Sequence, residues 1–132
     1  MLLVDTNVLV DVLQDDPQWA DWSIGQLRTQ AMVHELVINP VVYAEVSLCF
    51  TTIEALDRAL ATMALTVQPI PREALFLAGK AYAQYRRRGG SKAQVLPDFF
   101  IGAHAAVEGW PLLTRDAGRF KTYFPTLDVI AP

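Results

Sequence analysis

The sequence predicts an α/β fold: one domain over residues 1–132, with helices on both faces of a central parallel sheet of about five strands. Short apolar runs alternate with longer segments of helical period. The short runs are apolar at successive positions, as in strands buried on both faces, rather than alternating. A chain of 132 residues is about the size of one compact domain. Its 52% hydrophobic and 19% charged content excludes intrinsic disorder.

Leu2-Leu3-Val4 is the first strand, ending at the polar Asp5-Thr6-Asn7. Pro17 to Met32 reads as a helix opened by its proline. Leu36-Val37-Ile38 is a second strand, stopped by Asn39-Pro40. Val41 to Phe50 is apolar almost all the way round and predicts a buried helix. Ile53, Leu56, Leu60 and Met63 recur at helical spacing behind a Thr51-x-x-Glu54 capping box. Thr66 to Ile70 is β-rich and ends at Pro71. Leu75, Ala78, Gly79, Tyr82 and Tyr85 form a helical stripe stopped by Gly89-Gly90. Asp98 to Glu108 is a helix entered from Pro97, with Gly102, Ala105 and Gly109 as a small-residue stripe that allows close packing. Leu112 to Thr114 and Leu127 to Ile130 supply the last strands.

No apolar stretch reaches the roughly 18 residues of a membrane span. The N-terminus lacks a signal-peptide pattern. One cysteine, Cys49, and two histidines, His34 and His104, exclude an intrachain disulfide and a standard zinc site. A reducing cytoplasm fits, and Cys49 reads as a small core residue. Mean hydropathy is +0.24, apolar enough to suggest a surface patch that meets a partner. The net charge of −3 hides an asymmetry. Residues 1–66 carry nine acids against two bases, and residues 67–132 five acids against nine bases. Such a chain can hold cations in one place and phosphates in another.

In open α/β sheets, ligands bind beyond the carboxyl ends of the strands. Asp5 follows the first strand directly, and Asp116 follows the Leu112–Thr114 strand. Each alone is an ordinary cap or turn residue. Glu45 is more informative, because a carboxylate in an apolar helix is costly unless paired or bound to a cation. Asp98 opens a helix, where the dipole favours an acid. Four converging carboxylates with no basic partner repel one another, and all-oxygen donors suit Mg²⁺ or Mn²⁺. Such ions can drive phosphodiester hydrolysis.

Val4-Asp5-Thr6-Asn7, Glu45 behind a proline-led apolar helix start, Leu96-Pro97-Asp98-Phe99-Phe100-Ile101-Gly102-Ala103-His104-Ala105 and Leu113-Thr114-Arg115-Asp116 closely resemble PIN-domain ribonucleases, specifically VapC-type toxins. The resemblance runs from residue 2 to about residue 130 in motifs that are short singly and specific in order and spacing. It implies a PIN-like three-layer α/β/α fold and maps the catalytic, metal-binding acids to Asp5, Glu45, Asp98 and Asp116. Asn7 and Thr114 match supporting positions. It further implies Mg²⁺- or Mn²⁺-dependent endoribonuclease activity, a homodimer, and a cognate VapB-type antitoxin that assembles with the toxin into a larger complex.

Arg115 is placed to meet an RNA phosphate, and Arg86, Arg87 and Arg88 are further RNA candidates beside their ordinary role at a helix C-terminus. Trp19 and Trp22, one turn apart, are candidates for core packing or for antitoxin binding. His104, six residues after Asp98, points away from it and reads as structural or interfacial rather than as a general base. Two other classes share the opening aspartate. A haloacid-dehalogenase-like phosphatase needs a second aspartate two residues on, where this chain has Asn7, and a downstream lysine. A non-enzymatic receiver domain needs an acidic pair at the first strand. Neither accounts for Glu45. A catalytically dead PIN domain would not need all four acids.

Overall fold

The computed structural model describes residues 1–92 and 95–132. Five parallel strands form one sheet: β1 (Leu2–Val4), β2 (Leu36–Ile38), β3 (Thr66–Val67), β4 (Leu112–Leu113) and β5 (Val129–Ile130), in the order β3-β2-β1-β4-β5. Around it lie α1 (Thr6–Leu13), α2 (Ala20–Ala31), α3 (Pro40–Val46) with a 3₁₀ turn at Ser47–Cys49, α4 (Ile53–Thr62), α5 (Arg72–Arg87), α6 (Leu96–Glu108) and α7 (Gly118–Tyr123). This is the three-layer α/β/α arrangement expected from the sequence. Among the described residues no helix is long and apolar enough to cross a membrane.

The strand order places the site. From β1 the chain builds outward through β2 to β3, then returns to the other side of β1 for β4 and β5. The direction of winding reverses between β1 and β4, which opens a crevice at their carboxyl ends. Asp5 and Thr114 are the residues that follow those two strands. The Asp5 amide donates to the Leu113 carbonyl at 2.9 Å, so the pairing of the two strands carries into the crevice.

The three inner strands are buried on both faces, with no residue more than 4% exposed. The outer two are not. Both residues of β3 are exposed and both of β5 half-buried, and each strand is two residues long. Edge strands have a neighbour on one side only, so Thr66–Ile70 and Leu127–Ile130 shorten to the residues that pair.

Several helices depart from the expected register. Pro17 lies in a turn and α2 starts at Ala20, because the Asp16 carboxylate accepts from the amides of Gln18 and Trp19 and closes that turn first. Trp19 therefore precedes the helix, and its ring meets Trp22 edge-on at 6.3 Å. Thr52, not Thr51, caps α4, its hydroxyl accepting from Ala55 N–H at 3.1 Å. Ile53 is then 62% exposed while Leu56 and Leu60 carry the buried face. In α5 the buried face is Ala74, Ala78 and Ala81, with Leu75 exposed and the Tyr82 and Tyr85 rings against Phe99. The Val41–Phe50 segment is not one buried helix. It breaks at Ser47, Val42 and Val46 face the core, and Leu48 is 89% exposed. Cys49 is half-buried in the 3₁₀ turn rather than in the core.

The small-residue stripe of α6 works where Gly102 sits. A Cβ there would lie 2.5 Å from the Phe124 ring, so only glycine lets α6 approach the aromatic pair Phe120 and Phe124. Gly109 ends the helix in the left-handed conformation at φ 70°.

Candidate active site

Asp5 sits in extended backbone at the head of α1 and is 4% exposed. One carboxylate oxygen accepts from the Thr6 amide and the other from the Thr114 hydroxyl, both at 2.7 Å. Burial pushes its pKa from 3.8 up to about 7, and the charges of Asp98 and Glu45 push the same way. The two hydrogen bonds oppose this without cancelling it.

Glu45 reaches the site from the last turn of the short helix α3. The Asn39 side chain caps α3 by accepting from Val42 N–H at 3.0 Å, and Pro40 follows at its start. Glu45 Oε1 accepts from the Thr6 hydroxyl at 2.7 Å. Asp98 lies in the first turn of α6, where an acid opposes the helix dipole favourably. Its pKa is raised, first by burial, and further by the charges of Glu45 and Asp116. Asp116 is exposed on the loop after β4, and its amide donates to Thr114 Oγ1 at 3.1 Å. The structure thus brings the four acids to one end of the sheet, with Asp98 central: it shares charge influence with Asp5, Glu45 and Asp116, and Asp5 also with Glu45.

Asn7 and Thr114 stand between the acids and the frame. Asn7 Oδ1 accepts from the Arg115 amide at 3.1 Å and its Nδ2 faces Thr114 Oγ1 at 3.4 Å. This ties the first turn of α1 to the loop carrying Asp116. Thr114 is fully buried, and its hydroxyl sits between the Asp5 carboxylate, the Asn7 amide and the Asp116 backbone, with the Asp5 contact the shortest.

Sequence reasoning missed three partners. The acids do not lack a base: Arg119 on α7 donates to Asp98 Oδ2 at 2.6 Å and lowers its pKa against the other influences. Arg119 is one turn past Asp116, but nothing local says which way it turns. Thr6 was passed over inside the first motif, although it is the residue that holds Glu45. Asp11 is 2% exposed and pairs with Arg115 Nε at 2.9 Å while accepting from Ser23. An acid three residues after Val8 on a buried helix face is the signal that could have revealed it. Arg115 is therefore engaged rather than free, with its guanidinium also 5.4 Å from the Trp19 ring centre. Arg86, Arg87 and Arg88 are exposed at the end of α5. His104 is fully buried and faces Asn39, not the acids, as expected of a structural residue.

The donor set is all oxygen, which suits a hard divalent cation. Among the described residues no three His, Cys, Asp or Glu side chains are drawn together tightly enough to hold an ion as they stand. Three of the four acids instead take a side-chain neighbour of their own: Thr114 for Asp5, Thr6 for Glu45, Arg119 for Asp98. A buried carboxyl raised to about 7 and facing other acids is what a cation would relieve, so the residues fit such an ion.

A PIN domain family profile matches residues 2–124. The chain belongs to the PIN domain family. PIN domains are generally nucleases that use divalent metal. No curated protein sequence matches the chain. Solved structures do. VapBC2 from Rickettsia felis, bound to a DNA fragment from its promoter, aligns at a TM-score of 0.74 and 19% identity over 98% of this chain and 97% of that one. VapBC-1 from nontypeable Haemophilus influenzae aligns at 0.73 and 19%, covering 98% and 96%. FitAcB from Neisseria gonorrhoeae aligns at 0.70 and 19%, again covering 98% and 96%. At such identities the likeness establishes the PIN fold.

Proposed function

We propose that this PIN domain is a Mg²⁺- or Mn²⁺-dependent endoribonuclease, the toxin of a VapBC-type toxin–antitoxin pair, with Asp5, Glu45, Asp98 and Asp116 as its catalytic, metal-holding residues. The observation that carries this reading is the burial of Asp5 at the switch point of the sheet, its carboxyl pKa raised first by that burial and further by the charges of Asp98 and Glu45. When bound, the cation supplies activation of water and neutralisation of charge on the leaving oxygen of a phosphodiester.

The chain's own residues do the rest. Burial favours the neutral form of the Asp5 carboxyl, which a positive charge would offset, and Thr114 and the Thr6 amide keep both its oxygens oriented. Thr6 aims Glu45. Asn7 fixes the Arg115 backbone and so the approach of Asp116. Asp98 shares its carboxylate with Arg119, which balances the charge of the acids at the mouth of the crevice. Arg86, Arg87 and Arg88 offer an exposed basic patch for the RNA backbone, and Arg115 contributes its partly exposed guanidinium.

For the partners, a VapB-type antitoxin would find a mostly apolar groove of about 330 Å³ along α2, where Val12, Ile24, Leu27 and Met63 are joined by Arg28 and Thr62. Trp19 and Trp22 lie on the same helix entry. A homodimer, assembly with the antitoxin into a larger complex and a cytoplasmic setting complete the proposal. The antitoxin is supported by the VapBC complexes to which the fold is similar; the homodimer and the cytoplasmic setting rest on the resemblance of the sequence motifs to VapC-type toxins.

The test is cleavage of total and structured RNA by purified protein with Mn²⁺, with Mg²⁺ and with EDTA. Cleavage is expected with either ion only, and Glu45→Ala and Asp98→Ala are each expected to lose about 100-fold or more. Full cleavage in EDTA overturns the reading. Expression alone is expected to arrest growth, with relief on co-expression of the antitoxin; harmless accumulation of the wild-type protein counts against the toxin assignment.

A further inference from the structure

His104 is fully buried in the middle of α6, and its place in the proposed chemistry is so far empty. Among the described residues its ring meets one hydrogen-bonding side chain. Asn39 Nδ2 lies 3.2 Å from His104 Nδ1. The other ring nitrogen, Nε2, has no hydrogen-bond partner among the described residues. Trp110 covers the ring at 5.1 Å between centres.

The direction of the Asn39–His104 bond follows from its neighbours. Asn39 Oδ1 is already committed, accepting from Val42 N–H at the start of α3. The atom facing His104 is therefore the amide nitrogen, which can only donate. His104 Nδ1 must accept, so the ring is neutral and carries its proton on Nε2. Burial lowers the pKa of His104 and favours the same neutral ring. A histidine kept for core packing alone would leave no reason for a buried N–H without a partner, since an apolar ring avoids that loss. What the histidine supplies, and an apolar residue cannot, is an acceptor at Nδ1.

That acceptor controls an orientation. Asn39 is fully buried at the carboxyl end of β2, and its amide could turn either way round. With His104 Nδ1 accepting, only one orientation satisfies both ends: nitrogen toward α6, oxygen toward the first amides of α3. The helix so capped carries Glu45, and the helix that carries His104 also carries Asp98, six residues before it. We infer that His104 and Asn39 form a positioning pair that locks the start of the Glu45 helix to the Asp98 helix and so sets the spacing of those two acids. The functional consequence rests on the nuclease reading above; the coupling itself does not.

Two variants separate an acceptor from mere bulk. His104→Leu fills the core without an acceptor, and His104→Asn places its Oδ1 near the lost Nδ1. The first readout is amide exchange at Val42. It is expected to quicken about fivefold in His104→Leu, the scale of a lost helix cap, and to return toward wild type in His104→Asn. The second readout is the rise in melting temperature on adding Mn²⁺, expected to shrink in the leucine variant and recover in the asparagine variant. The third uses wild-type protein alone: the two-bond ¹H–¹⁵N spectrum of His104 is expected to show protonated Nε2 and unprotonated Nδ1. Protection of Val42 that is the same in all three proteins overturns the pair, as does a proton on Nδ1. A wild-type protein that ignores Mn²⁺ and spares RNA counts against the nuclease reading instead, and the exchange and tautomer results still decide the positioning pair.

Discussion

The inner and outer halves of the acidic site hold charge by different means. Inside, Asp5 is 4% exposed and its carboxylate is met, among the described residues, by hydrogen bonds from the Thr6 amide and Thr114. Outside, the Asp98 side chain is 34% exposed and paired with a guanidinium, and Asp116 is open to solvent. Burial dominates within, and its pKa rises to about 7. At the rim, solvent and Arg119 take up much of the same load. The difference shows why a cation would matter most at the inner acid: among the described residues no fixed positive group pairs with Asp5, whereas Asp98 already has one.

The largest expected effect is at Asp5. Asp5→Asn is expected to remove about 100-fold or more of RNA cleavage while raising the melting temperature of the metal-free protein by about 3 °C or more. The sign follows from linkage. An acid whose folded pKa is about 7 and whose ordinary value is 3.8 binds more protons folded than unfolded between those values. Stability therefore falls as pH rises from about 4 to about 7, and the loss is complete above it. Asp98, raised as well, adds in the same direction. His104, lowered from 6.5 by burial, works the opposite way, its contribution being lost as pH falls through its folded pKa. Melts of wild type and Asp5→Asn across pH 4 to 8 separate these, because the His104 part is common to both. A variant less stable than wild type at pH 7.5 breaks the contrast between the two halves.

Thr114→Val is expected to cost about 1–3 kcal/mol, the scale of leaving a buried acceptor unsatisfied. It removes the strongest influence holding the Asp5 pKa down, so the pH window of falling stability moves upward. Thr114→Ser keeps the hydroxyl and is expected to restore the window. Equal pH profiles for the two variants would show that the hydroxyl plays no part in the inner half.

The smallest expected effect is at the rim. Arg119→Gln removes an ion pair whose partners are about a third exposed, and such pairs contribute under about 1 kcal/mol. Its melting temperature without metal is expected to stay close to wild type. The Asp98 pKa rises further without Arg119, so Mn²⁺ competes with a proton more strongly below neutrality and the metal-induced shift becomes steeper with pH. A large loss of stability in Arg119→Gln would mean that the outer half is as dependent on its charge balance as the inner.

Much of this was legible in the chain itself. The three central strands are unbroken apolar runs because both their faces are covered, and such runs can be read without knowing the partners. Asp5 could be found because it directly follows such a run, Asp116 because it stands just beyond another, and Glu45 because an acid in an apolar segment needs a reason. Fold class, the acidic constellation and the resemblance to PIN domains therefore came from local pattern and order along the chain.

Only the folded structure decided who meets whom. The bonds Thr6–Glu45, Asn7–Arg115, Arg119–Asp98 and Asn39–His104 join residues 39, 108, 21 and 65 positions apart. No periodicity or spacing carries such information, because each bond depends on how strands order in the sheet and on how far helices can approach. Gly102 shows the second dependence: as a sequence it is one small residue among several, yet the Phe124 ring lies where its side chain would be. The edge strands and the exposed Leu48 follow from the same cause. Apolar character states what a residue tolerates, while burial is settled by which surfaces the rest of the chain leaves to be covered.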